Sequence, residues 1–388
     1  MSRFVDRAAE LTGIPSITGR YLLRLTEGRR ERLKYLTAFA QGGMGCVFSF
    51  VSPTGQIVKV AYQEVADEEQ NIMDVLSPAG SPAPQDAHVA ITKNTREKIW
   101  LSTTSTGKPD GSITFVTKDQ SGNVRQYFEI PKHLAKGRDG CGTLVTKLRR
   151  KKNKPIEVTI STADRFSGDL TALRPEQIDL EDIAAQMDNA LAFLKKHSVI
   201  HRDIKEENIY FKIRDDGTVY CALGDFGIAT FADKYGLTTD EYFAGTLAYL
   251  DIDCLRIYDS SRGTRACSTY ETDKFALGAT LIQMWARSLG DTSDGPLYGR
   301  KKRTRPNETE VAYTIQTIID WTRFLAGKET VVPASYIEKC SFPPGVTPQM
   351  DEKTKALISQ YFQSTTRYRD KLAIKQPSAS RPNRRKRK

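Results

Sequence analysis

The sequence predicts an α+β chain in two parts, strand-rich at first and helix-rich afterwards. Three observations carry this. Short apolar runs punctuated by Gly, Pro and Asp crowd residues 34–62 and return at 155–162. From residue 180 onward, apolar residues recur mostly at spacings of three and four. No internal repeat of about 20–50 residues is visible, which sets solenoids aside. With 388 residues, 39% hydrophobic and 27% charged, the chain has material for a large bilobal core.

The elements follow in order. Residues 1–33 form a basic, mixed N-terminal extension. "KYLTAFAQGGMGCVFSFVSPTGQIVKVAY" (34–62) reads as strand, Gly-rich turn, strand, a turn at "SPTG", and strand. "VADEEQNIMDVL" reads as a short acidic helix with Ile72, Val75 and Leu76 on one face. Strand-like pieces broken at "GKPDGS", "QSGN" and "KGRDGCG" come next, with no register fixed by the sequence. The region 78–150 therefore reads as an insertion. "PIEVTIST" is a buried-strand run, and "LEDIAAQMDNALAFLKKHSVI" a helix with Ile183, Met187, Ala190, Leu191 and Leu194 on its apolar side. "NIYFKI" and "VYCALGDFG" make a hairpin across "RDDG". Beyond Asp251, "KFALGATLIQMWARSL", "VAYTIQTIIDWTRFLAG" and "KTKALISQYFQ" have helical period. Strands before helices suggest two lobes.

Composition excludes some classes. No uncharged apolar run reaches about 18 residues, so no spanning helix and no membrane partner are expected. "MSRFVDRAAELTG" lacks the apolar core of a signal peptide. Cys46, Cys141, Cys221, Cys254, Cys267 and Cys340 are widely separated, without a CxxC pair. That argues against structural zinc and a disulfide scaffold, and for a reducing compartment. Of the net charge of +11, six charges belong to the last eight residues, "RPNRRKRK". Within the tail (373–388) this run follows a Pro/Ser-rich lead, and it suits either a nuclear-import receptor or a polyanion contact. The internal runs "KLRRKKNK" (147–154) and "GRKKRTR" (299–305) read equally well as solvated loops.

One constellation carries chemistry. "HRDIKEEN" (201–208) follows the long helix, and "GDFG" follows after a hairpin. Upstream stand the Gly-rich turn, Lys59 on a strand and Glu69 on the acidic helix. In that order, these parts resemble the eukaryotic-type protein kinase family over about residues 33–289. The resemblance implies a bilobal, protein-kinase-like α+β fold, with a small strand-rich N-lobe over 34–163 and a larger helical C-lobe over 164–372. It implies an ATP- and Mg²⁺-dependent serine/threonine kinase acting on protein substrates. The basic tail suggests a nuclear or nucleo-cytoplasmic, intracellular location, and the compact core would suit a viral member.

What the resemblance implies for each residue follows the needs of phosphoryl transfer, which are positioning and charge neutralisation. Asp203 resembles the catalytic aspartate and Lys205 the lysine that neutralises the transferring group. Asn208 and Asp225 would hold Mg²⁺ through hard oxygens. Gly42, Gly43 and Gly45 would let backbone approach the phosphates, with Ala40 at the first glycine place and Val47 after the loop. Lys59 would reach the phosphates and pair with Glu69, for which Glu68 is the competitor. Ile57 stands where the family has a small alanine. Thr162 aligns near the gatekeeper place and Ala163 along the hinge. "AGTLAYLDID" resembles the segment closed by A-P-E, with Thr246 in "GT" and Asp253 as the surviving carboxylate, and Arg367 as a candidate partner. Asp273 resembles the aspartate beneath the catalytic loop. Arg202 would dock a phosphorylated activation segment, with Thr238 and Thr239 as the autophosphorylation candidates. The altered Gly loop, Ile57 and the lost A-P-E triplet keep a second reading open, a pseudokinase-type scaffold binding protein partners or nucleic acid through its basic segments.

Overall fold

Seven strands close into a barrel in the first of two units. In a computed structural model, the residues described are 34–42, 45–49, 56–62, 67–78, 85–102, 111–136, 140–151, 154–240, 245–260, 266–293 and 308–362. The first unit comprises residues before 82 together with 90–165; the second comprises 82–89 and residues from 166 on. The extension 1–33, the run 299–305, Arg367 and the tail lie outside the described residues.

The barrel strands are β1 (Lys34–Gly42), β2 (Gly45–Ser49), β3 (Gln56–Ala61), β4 (Lys93–Leu101), β5 (Ile113–Lys118), β6 (Val124–Ile130) and β7 (Ile156–Asp164). Their order is β1-β2-β3-β7-β4-β5-β6, and a parallel pairing of β1 with β6 completes the ring. Closure leaves no unpaired strand edge. Period-two alternation sends Cys46, Phe48, Val58 and Val60 inward to meet Ile99, Phe115, Phe128 and Ile130. Phe48, Phe115 and Phe128 pack with ring centroids 4.8–5.8 Å apart.

Two helices belong to this unit. Helix α1 (Asp67–Leu76) buries Ile72, Met73 and Leu76, whereas Val75 is exposed. The predicted face was therefore one position off, because Met73, at i+1 from Ile72 and i−3 from Leu76, takes the inward place assigned to Val75. Helix α2 (Gly140–Lys151) fills the barrel core with Cys141, Leu144, Val145 and Leu148, an i, i+3, i+4, i+7 pattern. Each of those buried leucines contributes about 1.5–3 kcal/mol. Cys141 is joined to Cys46 as a disulfide, with Cα atoms 5.1 Å apart. This single pair departs from the expectation of a reducing compartment without a disulfide scaffold: 95 residues of sequence separation vanish when α2 packs on β2.

The second unit begins with β8 (Gly168–Asp169), α3 (Leu180–Lys196) and β9 (Val199–Ile200). Asp179 caps α3, accepting from the amides of Glu181 and Asp182 at 3.0 and 3.1 Å. Its five predicted apolar residues are all buried. The hairpin β10 (Ile209–Ile213) and β11 (Val219–Leu223) forms as expected, with β8 on its other side. Residues 85–89, read as part of the insertion, belong here instead. His88 accepts at its carbonyl from the Leu223 amide at 2.8 Å, and its ring stacks on Tyr220.

Then come β12 (Thr230–Phe231), paired with β9; β13 (Leu237–Asp240); α4 (Ile252–Ser260); and β14 (Ala266–Thr269), paired with β13. Helix α5 (Tyr270–Ser288) is buried on nearly every side and so forms the centre of this unit. Thr269 and Thr272 cap its start reciprocally. Around it lie α6 (Glu308–Leu325), α7 (Ala334–Ile337) and α8 (Glu352–Phe362). Trp321 on α6 meets Trp285 and Tyr336 edge-on. Among the described residues, no helix is long and apolar enough to cross a membrane.

Candidate active site

The loop between β9 and β10 hangs from the first turn of α5. Asp273 is buried there and accepts the amides of His201 at 2.7 Å and Arg202 at 2.9 Å. Burial pushes its carboxyl above the ordinary range, while the facing His201 and the two amides pull the other way. Two backbone bonds to one fixed carboxylate define the loop's path, including the left-handed conformation of Arg202 at φ 72°. Such a conformation costs about 1–2 kcal/mol for a residue with a Cβ.

His201 lies wholly inside. Its Nε2 donates to the Gly224 carbonyl at 2.9 Å, and its Nδ1 accepts from the Asp203 amide at 3.3 Å. With both ring nitrogens committed to backbone, it is a structural residue. Phe226 packs against it edge-on at 4.9 Å.

Asp203 is the convergence point. Lys205 Nζ donates to its Oδ2 at 2.7 Å, Asn208 Nδ2 to the same oxygen at 2.9 Å, and Thr246 Oγ1 to Oδ1 at 2.6 Å. Asn208 also donates to the Asp203 carbonyl at 2.8 Å, and Lys205 to Thr246 at 2.9 Å. Three donors on an ionised carboxylate leave about one of its four lone-pair sites for a further proton. Both Nδ2 bonds of Asn208 go to Asp203, so the amide oxygen is what it offers to anything else. The Asn208 carbonyl accepts from Gly224 at 2.8 Å, which ties the loop to the residue before Asp225. Asp225 itself is exposed at φ 59°. Two oxygen donors beside an aspartate fit a hard cation better than a soft one.

The sequence reading placed Thr246 only in the activation segment; its hydroxyl in fact completes the Asp203 cluster. It missed Glu206 and Tyr249 altogether. Tyr249 donates to Glu206 at 2.5 Å with both side chains buried, and burial raises Glu206 to about 7. Tyr210 is raised to about 12 by burial and by the charges of Asp225 and Asp169.

The activation segment departs from expectation at Asp253. It pairs with Arg256, one turn along α4, at 3.6 Å and partly exposed. The buried carboxylate is Asp251, 1% exposed, which accepts from the Cys254 amide at 2.7 Å. The shift has a simple cause, since Asp251 is the residue before α4 and caps it. Arg202 Nε donates to the Ile228 carbonyl at 2.5 Å. Thr238 and Thr239 lie in β13, in register with Ser268 and Cys267 of β14.

The barrel unit gathers the other predicted residues. Gly42 and Gly45 face each other as the last pair of the β1–β2 ladder, while Gly43 lies outside the described residues. A register shift between Ala38 and Ala40 brings Ala40 opposite Val47. Val47 pairs with Lys59, and Lys59 with Ser161, a line across β2, β3 and β7. Ile57 pairs with Ala163 on the same face. Thr162 pairs with buried Val58 and so belongs to the inward face. The register places Ser161 opposite Lys59, and Thr162, one residue along, on the other side of the strand. Glu69 lies half-buried on α1; the side chain of its competitor Glu68 lies outside the described residues.

Comparison with known proteins agrees with this arrangement. The family described as "Protein kinase domain" matches residues 160–370, more than half of the chain. Serine/threonine-protein kinase PkaA of Streptomyces coelicolor is 43% identical over 68 residues, covering 18% of this chain and 12% of that protein. Human serine/threonine-protein kinase A-Raf is 27% identical over 117 residues, 30% of this chain and 18% of that protein. The chain thus spans less than a fifth of the length of either relative. A matched domain holding Asp203, Lys205, Asn208, Asp225 and Asp273 in one connected framework leads to one conclusion: the chain belongs to the protein kinase family.

Proposed function

We propose that the chain transfers the γ-phosphoryl group of ATP to serine or threonine hydroxyls of protein substrates. The observation that carries this is the Asp203 carboxylate, oriented by Lys205, Asn208 and Thr246 at 2.6–2.9 Å with one acceptor site to spare. The substrate oxygen forms its bond to the γ-phosphorus as the bond from that phosphorus to the β-bridging oxygen breaks. ADP leaves with the electron pair, and the hydroxyl proton passes to Asp203. Lys205 offsets charge on the transferring group without moving far, since its ammonium already lies in the cluster.

Mg²⁺ would be held by the Asn208 amide oxygen and Asp225, where a divalent cation neutralises phosphate charge. The nucleotide would use Gly42, Gly43, Gly45 and Val47 from the β1–β2 hairpin. Lys59 would pair with Glu69, with Ser161 and Ala163 on the same side as Lys59. The Lys205–Thr246 contact supports serine/threonine rather than tyrosine acceptors, as do the names of the similar proteins. The basic tail supports nuclear import as the chain's address.

Incubation with γ-labelled ATP, Mg²⁺ and a mixed Ser/Thr/Tyr peptide pool, followed by phosphoamino-acid analysis, tests the proposal. Label on serine and threonine is expected. Nucleotide binding without any transfer would favour the scaffold reading, to which Ile57 and Ala40 lend support.

A further inference from the structure

We propose that the barrel unit carries a binding cleft for single-stranded nucleic acid between α2 and β4. The cleft measures about 590 Å³ and is lined by Tyr62, Lys98, Lys147, Arg150, Lys151 and Glu157, among others. That volume is in the range of about 300–1,000 Å³ common to ligand pockets. Its four cationic side chains are exposed, and none is engaged by a carboxylate among the described residues. Glu157 is the one acid of the lining, opposite Lys98 in the β4–β7 ladder.

The arrangement follows from how α2 is packed. Cys141, Leu144, Val145 and Leu148 point into the barrel, so the row Lys147, Arg150, Lys151 at i, i+3 and i+4 turns outward. Lys98 stands on β4, so cations reach the cleft from two elements. A simpler explanation covers part of this. Cations in the last turn of a helix are stabilised by its dipole, which accounts for Arg150 and Lys151. It does not account for Lys147, one turn earlier, nor for Lys98 on a strand.

The occupant is argued from charge and from Tyr62. A nucleic-acid strand brings negative charge at every residue together with flat bases. The cleft offers cations from two elements and one aromatic ring, with Lys147 at 4.4 Å over its face. Cationic groove plus aromatic ring is the composition used for sequence-tolerant single-strand binding. An acidic peptide would match the charge as well, and competition by polyglutamate separates the two. A net charge of +11 favours encounter with a polyanion. None of the four cations is among the residues assigned above to ATP, Mg²⁺ or the acceptor hydroxyl, so the cleft is a second site beside the one for phosphoryl transfer.

The test is fluorescence anisotropy of the full chain with a fluorescein-labelled oligothymidylate, titrated between about 50 and 200 mM salt. Each phosphate contact to a single strand adds about −0.7 to the slope of log K against log salt. K147Q/R150Q/K151Q should therefore flatten the slope by about 2 and weaken low-salt binding at least tenfold. A control removing equal charge elsewhere, K195Q/K196Q/K328Q, should leave both within error. Because the triple variant alters a barrel helix, K98Q on the strand is measured too and should flatten the slope by about 0.7. Equal effects in control and cleft variants, or no binding by the natural chain at low salt, would overturn the proposal. Polyglutamate competing as well as oligothymidylate at equal charge would assign the cleft to acidic peptides and overturn it likewise.

Discussion

Tyr249 donates its phenolic hydrogen to Glu206 at 2.5 Å, joining the end of the activation segment to the catalytic loop inside the protein. Glu206 is three residues from Asp203, and Arg287 of α5 contributes the nearby positive charge. A buried carboxyl whose donor is removed retains the desolvation cost without the compensating bond. Tyr249→Phe should therefore lower unfolding stability by about 1–3 kcal/mol. Adding Glu206→Gln to that variant should recover part of the loss, because the buried carboxyl left without its donor is gone. Urea denaturation of both single variants and the double variant checks this, and strictly additive losses would show that the two residues are not coupled.

The buried Asp251 sets a pH dependence. Burial raises its carboxyl from 3.8 to about 6, the neighbouring Asp253 adds to the rise, and the Cys254 amide opposes it. Between pH 4 and 6 the folded protein therefore binds a proton here that the unfolded chain has released, so the contribution of Asp251 to stability falls as pH rises through that window and is constant above it. The total is on the order of 3 kcal/mol. Asp251→Asn keeps an acceptor for the Cys254 amide while removing the titration. It should raise the melting temperature at pH 7.5 and flatten the profile between pH 4 and 6, as thermal melts across that range would show.

Two glycines separate packing from backbone strain. A Cβ on Gly278 of α5 would lie 2.7 Å from Cβ of Tyr361, between two packed helices. At Gly217 it would meet nothing, but φ is 84°. Gly278→Ala should cost about 1–3 kcal/mol or more through overpacking. Gly217→Ala should cost about 1–2 kcal/mol through left-handed strain alone. Chemical denaturation of the two variants distinguishes these origins, since removing the opposing Cβ by Tyr361→Gly should ease only the first.

The ladder between β13 and β14 fixes the backbone of Thr238 and Thr239. Thr238→Val and Thr239→Val together keep the strand propensity, so transfer should stay within about twofold of the natural rate. Intact mass before and after phosphatase treatment reports separately whether either threonine is modified. A tenfold loss with the fold preserved would make the phosphate, rather than the ladder, the organiser of the segment.

The loop at 201–208 was readable because its side chains are close in sequence. Asp203, Lys205 and Asn208 are within six residues, and the hairpin that returns Asp225 to them has an unambiguous turn. Features built by distant contacts were not readable. The β1–β6 pairing that closes the barrel is parallel and joins strands with β2 to β5 and α1 between them in the chain. The disulfide partner of Cys46 lies on α2, a helix hidden because its start, "GCG", reads as a loop. Residues 85–89 join the second unit through backbone bonds to β11, which leave no trace in residue type. Val75 and Met73 exchanged places because a ten-residue helix offers too few turns to fix its inward face from pattern alone. Asp253 was chosen over Asp251 by alignment, whereas helix capping decided which one is buried.

In the proposed reaction Asp203 takes the substrate proton. The most direct measurement is steady-state transfer by Asp203→Asn beside the natural chain, with melting temperature and nucleotide binding recorded for both. Asparagine retains the size and the acceptor oxygen for Thr246 but has no carboxylate to receive a proton. The account predicts a loss of about 10²–10⁴-fold in kcat with binding and melting temperature preserved. Transfer at the natural rate by the folded variant would contradict it.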